Sequence, residues 1–363
     1  MTTTRALLSR DPREPFTLEP IELDDPREDE ILVRVQATGI CHTDLITRAA
    51  GSADRPILLG HEGAGVVEAV GREVSSVRPG DQVVLTFRHC GDCHACRVGR
   101  PAYCRKGFAL NQFGARRDGS PRVTAAGRPV RDGFFGQSSL AGYALTTADN
   151  TVVVAPGTDP SLAAPLGCGF LTGAGAVLNV ARPRPDDTLV IYGAGAVGMA
   201  GLLAARASGV ERIIVVEPAA PRRALALALG ASVALDPAES AGAEAIRELT
   251  RGGAECALDT TGSARVLADA AAALATGGTV VAVGLGTGTP DISLRDIVLG
   301  GKSIRGCLEG DAVPHVFIPQ LLELYAAGRF PLDRLITARP HTEFAAALAA
   351  PHEGAAVKSV LTW

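Results

Sequence analysis

Between residues 30 and 155 the apolar positions come in short runs, several of them alternating with polar ones. Ile31-Leu-Val-Arg-Val-Gln36, Gly65-Val-Val-Glu-Ala-Val70, Gln82-Val-Val-Leu-Thr86 and Thr151-Val-Val-Val154 each read as a strand, the last bounded by Pro156 and Gly157. This stretch is predicted to be a β-rich module. From Thr188 the pattern changes. Apolar runs at Leu189–Tyr192, Ile213–Val216, Ser232–Leu235, Cys256–Asp259 and Thr279–Val283 alternate with alanine-rich helical stretches. That alternation implies an α/β domain with a parallel sheet and right-handed crossovers. The chain then returns to irregular strands and helices and closes on Lys358-Ser-Val-Leu-Thr-Trp363. No internal repeat, heptad run or low-complexity tail interrupts this plan.

At ~150 residues per domain, 363 residues make about two domains. With 47% hydrophobic residues and a net charge of −4, the chain can bury enough apolar surface to offset its ordering entropy, which excludes disorder. The mild negative charge, with no basic block, argues against nucleic acid or an anionic membrane as partner. Pro160–Ala181 runs 22 residues without a charge, yet its two prolines, four glycines and Asn179 make it a weak membrane span. Met1–Pro20 has no apolar core of a secretory signal, so a cytoplasmic location is expected and the eight cysteines should be reduced. Glycine is enriched, at 42 residues, which suggests tight turns and close backbone approaches.

Leu189-Val-Ile-Tyr-Gly193-Ala194-Gly195-Ala196-Val197-Gly198 is a strand running through Gly-x-Gly-x-x-Gly into a helix. Gly193 permits the turn, Gly195 lets backbone approach a pyrophosphate, and Gly198 allows close helix packing. Glu217 ends the next strand 19 positions after Gly198, where a carboxylate meets the adenosine ribose hydroxyls. A carboxylate there repels a 2′-phosphate, which favours NAD over NADP. Arg222 and Arg223 are the reservation, since either could pair with that phosphate.

Cys90-x-x-Cys93-x-x-Cys96-x7-Cys104 puts four thiolates on one loop. Four soft ligands close a tetrahedral zinc shell with no open position, the pattern of a structural site. Disulfides or an iron–sulfur cluster are the rivals, but ferredoxin runs place the fourth cysteine after three residues and follow it with proline, whereas here the gap is seven and Arg105 follows. A second, dispersed set comprises Gly39-Ile-Cys41-His42-Thr43-Asp44, Gly60-His61-Glu62-Gly63-Ala-Gly65 and Gly167-Cys168-Gly169. Two thiolates and an imidazole are the ligand count of a catalytic zinc. Spacing alone does not show that they meet.

These motifs, in this order, resemble the zinc-dependent alcohol dehydrogenases of the medium-chain dehydrogenase/reductase superfamily, and the resemblance spans essentially the whole chain. Phe134-Phe-Gly-Gln-Ser-Ser139, Leu166-Gly-Cys-Gly169 with Thr172-Gly-Ala-Gly-Ala-Val-Leu-Asn179, and Leu308-Glu-Gly-Asp311 resemble the aryl (benzyl) alcohol dehydrogenases within it. The resemblance implies a GroES-like catalytic domain from residues 1–168 and 309–363, with a Rossmann domain, 169–308, inserted. It implies two zinc ions per subunit. Cys41, His61 and Cys168 would hold the catalytic one, Thr43 would bond the alcohol oxygen, Asp44 would orient His61, and Glu62 would sit behind the metal. His42, Arg222 and Lys358 match positions that contact the cofactor, with Ala196, Val197, Thr172, Thr260, Val283 and Leu285 beside it.

The reaction so implied interconverts primary aromatic or allylic alcohols, terpenoid ones included, and their aldehydes by hydride transfer to the nicotinamide. Zinc can acidify a bound hydroxyl by ~9 pKa units, about 12 kcal/mol, against roughly 3–5 kcal/mol for a positioned base. The best-known relatives place a relay histidine where this chain has Ile46. Its absence should slow proton release, leaving Thr43 to pass the proton through ribose hydroxyls or water, with His42 as a further route. By the same resemblance, Thr86, Phe87, Phe135, Leu285, Leu308 and Glu309 are candidates for the substrate pocket. A thiol-adduct formaldehyde dehydrogenase and a non-catalytic nucleotide-binding protein are the alternatives. The same resemblance implies that the apolar segment Asp296 to Gly306 pairs two Rossmann domains in a homodimer, with a homotetramer as the alternative.

Overall fold

The computed structural model describes residues 1–11, 13–112, 116, 118–240, 242–350 and 357–363. They form two compact units, the first from Met1–Cys168, Val313–Gln320 and Ile336–Trp363, the second from Gly169–Ala312 and Leu321–Leu335.

The first unit holds two sheets. One runs in the order Ile57–Leu58, Thr2–Ser9, Thr17–Leu23, Val123–Ala125, Arg128–Pro129. The other runs Thr151–Val153, Gln82–Leu85, Gly63–Val70, Glu30–Gly39, Lys358–Thr362, Ile336–Pro340, with Tyr143–Thr147 also pairing on Glu30–Gly39. The central strand is apolar on both faces because each faces a core. Ile31, Val33 and Val35 pack with Val67, Val83 and Leu85, while Leu32 joins Leu7, Ile21 and Phe134 on the opposite side, the period of two expected of a strand. Gly65 lets two backbones close: a Cβ there would lie 2.1 Å from the Arg34 carbonyl oxygen.

The second unit is a six-stranded sheet in which every neighbouring pair is parallel. Its order is Val233–Leu235, Arg212–Val216, Thr188–Tyr192, Ala254–Asp259, Leu274–Ala282, Ser303–Gly306. Numbered along the chain this is 3-2-1-4-5-6, the doubly wound order of dinucleotide-binding sheets. Thr188–Tyr192 is buried along its whole length, as a parallel strand covered on both faces must be.

Two expectations need amending. Residues 309–312 and 321–335 count with the second unit, so the return to the first is two pieces and not one span from 309. The reason is local packing: the Gly310 carbonyl accepts from Asn179 Nδ2 at 2.9 Å, a Cβ at Gly175 would collide with that same oxygen, and Arg329 donates to the Ala207 carbonyl. The strand expected at Thr279–Val283 is longer, beginning at Leu274. The uncharged stretch Pro160–Ala181 is divided into short helical pieces, and no single helix among the described residues is long and apolar enough to cross a membrane.

Candidate active site and cofactor turn

Three separate segments of the first unit bring Cys41, His61 and Cys168 together. Cys41 caps the short helix His42–Thr47, His61 follows the strand Ile57–Leu58, and Cys168 ends the 3-10 turn Ala164–Gly167. Their ligand atoms and a Glu62 oxygen all lie within 4.8 Å of one another. Asp44 fixes two of the segments at once. Its Oδ1 accepts from the Gly60 N–H and meets His61 Nδ1, both at 3.0 Å, and its Oδ2 accepts from the Cys41 N–H at 3.1 Å.

With Nδ1 so engaged, His61 Nε2 faces the thiols. It is fully buried and without a regular hydrogen-bond partner among the described residues. Burial disfavours the imidazolium, yet Asp44 and Cys41 outweigh it and hold the ring's pKa well above its ordinary value. A hydrogen bond from Cys168, opposed by burial and joined by the charges of His61 and Lys358, holds the Cys41 thiol well below its own. A buried site that stabilises a thiolate beside a cation is one in which a divalent ion can replace protons. The donor set therefore fits zinc.

Glu62 is fully buried behind these ligands and Lys358 is 3% exposed. The Lys358 ammonium donates to Glu62 at 2.7 Å and to the Ile40 carbonyl at 3.0 Å. Burial pushes the Glu62 carboxyl up to about 6 despite that cation. Gly39 makes the room, since a Cβ there would lie 2.0 Å from Glu62 Oε2. Lys358, expected at the cofactor, neutralises Glu62 here, as a buried carboxylate needs a counter-charge.

On the four-cysteine loop, Cys93 and Cys96 Sγ stand 3.5 Å apart and Cys90 and Cys96 Sγ 4.0 Å apart. Tetrahedral zinc with ~2.3 Å Zn–S bonds requires about 3.8 Å between sulfurs, so this cluster fits the ion too. Backbone N–H groups of Cys96 and Arg105 bring the Cys93 thiol down to about 6. Cys256 and Cys307 lie apart from both clusters, and burial pushes each up to about 12.

In the second unit the strand Thr188–Tyr192 runs into the glycine turn and the helix Ala196–Ala207, whose N-cap is Gly195. Gly193 has φ +92, which favours glycine. A Cβ at Gly198 would lie 1.8 Å from the Gly193 carbonyl oxygen, whereas one at Gly195 would meet nothing within 4 Å. The open cradle at Gly195, over a helix N-terminus, fits a pyrophosphate. Ala196 and Val197 open the helix, half-buried. Glu217, nearly buried, accepts from the Ala194 N–H at 2.7 Å and the Ala219 N–H at 2.9 Å. Carboxylate lone pairs remain for ribose hydroxyls.

The remaining expected residues divide. Thr43 Oγ1 is 3.7 Å from Cys41 Sγ, beside the ligands, and His42 is exposed next to it. Thr260 Oγ1 donates to the Tyr192 carbonyl at the strand end, and the Val283 N–H to the Asp259 carbonyl. Arg222 is half-buried on the helix Ala220–Ala228. Thr172 is buried with its hydroxyl 3.4 Å from Glu309 Oε2, which draws both into packing. Leu285 is 83% exposed, while Thr86 and Phe87 are buried. Phe135, half-buried, packs against the His61 ring at 4.7 Å between centroids, and Phe134 meets its edge at 5.4 Å. Gln137, whose only sequence signal was its place in the Phe134–Ser139 motif, bonds the backbone of the His61 segment.

A doubly wound nucleotide-binding unit and a thiolate–imidazole cluster define a class of metal-dependent dehydrogenase, and comparison with known proteins agrees. Residues 27–156 match the family model described as alcohol dehydrogenase GroES-like domain, and residues 196–327 the one described as zinc-binding dehydrogenase. The chain is 45% identical to geraniol dehydrogenase of Castellaniella defragrans over 353 residues, covering 96% of this chain and 95% of that one. A zinc-binding-domain alcohol dehydrogenase structure from Burkholderia ambifaria superposes with a TM-score of 0.96 at 45% identity, covering 99% of each chain. Benzyl alcohol dehydrogenase from Acinetobacter calcoaceticus gives 0.94 at 39% identity over 100% of this chain and 99% of that one. The chain belongs to the zinc-dependent alcohol dehydrogenases of the medium-chain dehydrogenase/reductase superfamily and is an oxidoreductase acting on alcohols.

Proposed function

We propose that the protein holds two zinc ions per chain, uses NAD, and interconverts primary aromatic or allylic alcohols, terpenoid alcohols among them, with their aldehydes. The observation that carries this reading is the convergence of half-buried Cys41 and Cys168 on the buried His61 Nε2, the three-ligand set of a zinc whose fourth position takes substrate. Bound there, zinc would acidify the alcohol while NAD accepts the hydride. Asp44 orients His61, and Thr43 takes the alcohol proton at Oγ1 and passes it toward solvent. Ile46, exposed on the same short helix, offers no base. Phe135, half-buried with its ring against His61, would give the site an apolar side suited to an unsaturated substrate, and the relatives' names, geraniol and benzyl alcohol dehydrogenase, are of that kind.

NAD is favoured over NADP by Glu217 and by Arg223. Arg223 is bound to Asp236 at 2.9 Å and to the Glu217 and Pro218 carbonyls, so it is not offered to a 2′-phosphate. Six cysteines kept as thiolate zinc ligands need a reducing compartment, which suits the cytoplasm. Ser303–Gly306 is the outer strand of its sheet and exposed along its length, with Leu294, Val298 and Leu299 exposed beside it. That edge supports a homodimer in which two such strands pair.

The test is metal analysis together with initial rates of NAD and NADP reduction over benzyl, cinnamyl, geranyl and short aliphatic alcohols and a hydroxymethyl-thiol adduct. Two zinc ions per chain and fastest turnover of NAD with the unsaturated alcohols are expected. Preference for the thiol adduct, or no reduction of either nucleotide, overturns the reading.

A further inference from the structure

The Phe134–Ser139 loop has a shape its sequence alone does not explain. Phe135 and Ser138 both lie at φ +51 with Gly136 at +67 between them, a left-handed conformation that L residues with side chains resist. Strain of this kind persists where surrounding contacts impose it. Here Ser138 Oγ accepts from the Phe134 N–H at 3.0 Å and donates to the Leu58 carbonyl at 2.7 Å, and Asn150 Nδ2 holds the Phe135 carbonyl at 3.0 Å. The result is that Gln137 turns inward until 2% of it is exposed.

Its carboxamide uses both ends. Oε1 accepts from the Gly63 N–H at 3.1 Å, and Nε2 donates to the His61 carbonyl at 3.0 Å and the Thr86 carbonyl at 3.1 Å. The Thr86 hydroxyl, fully buried, donates in turn to the Gly167 carbonyl at 2.7 Å. One path of buried hydrogen bonds therefore runs from His61 through Gln137 and Thr86 to the residue before Cys168. Resting on the reading of Cys41, His61 and Cys168 as zinc ligands, we propose that Gln137 is a positioning residue that sets the separation of His61 and Cys168. Only an amide supplies an acceptor and two donors on one head. Glutamate would set oxygen against two carbonyls, and asparagine is one methylene short.

The experiment uses the zinc-loaded enzyme and follows zinc transfer to excess chromogenic chelator, with the four-cysteine zinc as internal reference. Gln137→Met should speed release from the Cys41–His61–Cys168 site roughly ten- to a hundredfold, the usual effect of losing an outer partner of a ligand, and leave the four-cysteine phase unchanged. Cobalt in the same site should show shifted visible bands. Thr86→Val cuts the path at its other end and should speed the same phase, so it carries the test if Gln137→Met does not fold. Arg116→Met removes the bidentate pair with Glu30, which is not on the path, and should lower the melting temperature without altering release. Wild-type release from both path variants overturns the inference, as does equal acceleration in all three. A wild-type chain holding only the four-cysteine zinc overturns instead the reading of the site on which it rests.

Discussion

Replacing Gly195 by alanine should separate cofactor binding from folding. The Gly195 backbone, at φ −76 and ψ −170, is extended and open to any residue, and the added methyl would meet nothing within 4 Å. Stability should hold, or rise by about 0.4–1 kcal/mol through a stiffer unfolded chain. Binding should not hold. If the pyrophosphate sits over this cradle, the methyl pushes it off hydrogen bonds that, to a charged group, are worth about 1.5–3 kcal/mol, so the NADH dissociation constant rises roughly 10- to 150-fold. At Gly198 the same methyl would lie 1.8 Å from the Gly193 carbonyl oxygen, forcing the helix Ala196–Ala207 off its strand. Overpacking costs about 1–3 kcal/mol, a fall in Tm of roughly 2–12 °C. Calorimetric melting of both variants and NADH fluorescence titration distinguish the two effects. A Gly195→Ala enzyme that binds NADH like wild type, or a Gly198→Ala enzyme that melts like it, refutes the reasoning.

Three further outcomes are expected. Thr43→Ala should lower kcat steeply while zinc content stays at the wild-type value; unchanged turnover removes Thr43 from proton transfer. Lys358→Met leaves Glu62 buried without a cation and should destabilise by about 3–5 kcal/mol, and the double variant Glu62→Gln/Lys358→Met should recover much of that in urea melts; an additive double variant contradicts the pairing. Arg116, bidentate on Glu30 at 2.8 and 2.6 Å, overcomes burial and holds the Glu30 carboxyl below its ordinary 4.5. A depressed folded-state pKa adds stability that is present above pH 4.5 and lost as pH falls through the folded value. In Arg116→Met only the Arg27 N–H and the Arg122 charge still oppose burial, so the Glu30 carboxyl rises and the deficit against wild type should widen from pH 4 to 7; a constant deficit across chemical denaturation at those pH values counts against the pair.

Much of the fold is legible because its signals are local. The buried runs at Leu189–Tyr192 and Ile213–Val216 are continuous, and the glycine turn falls between a strand and a helix as its spacing requires. The strands Thr2–Ser9 and Thr17–Leu23 carry no comparable signal, since threonine, glutamate and proline occupy their exposed positions and only part of each is buried. Residue types also announce the metal chemistry: four cysteines within fifteen positions, and a cysteine, a histidine and a cysteine in glycine-rich settings.

Convergence is what the linear chain leaves open. Lys358 reaches Glu62 because Val360 pairs with Gly39 in the register of the central sheet, a contact across 296 residues that no periodicity records. Glu309 leaves the return segment for the second unit because Thr172 and Asn179 bond it and its neighbour. Gln137 acquires a role only when a left-handed loop turns it toward His61. The sequence by itself determined the element types, the ligand chemistry and the phosphate turn, because these follow from short-range spacing and side-chain identity. Tertiary structure decided which ligands meet, which charges neutralise one another and which amide holds them apart, because those depend on strand pairing between segments far apart in the chain.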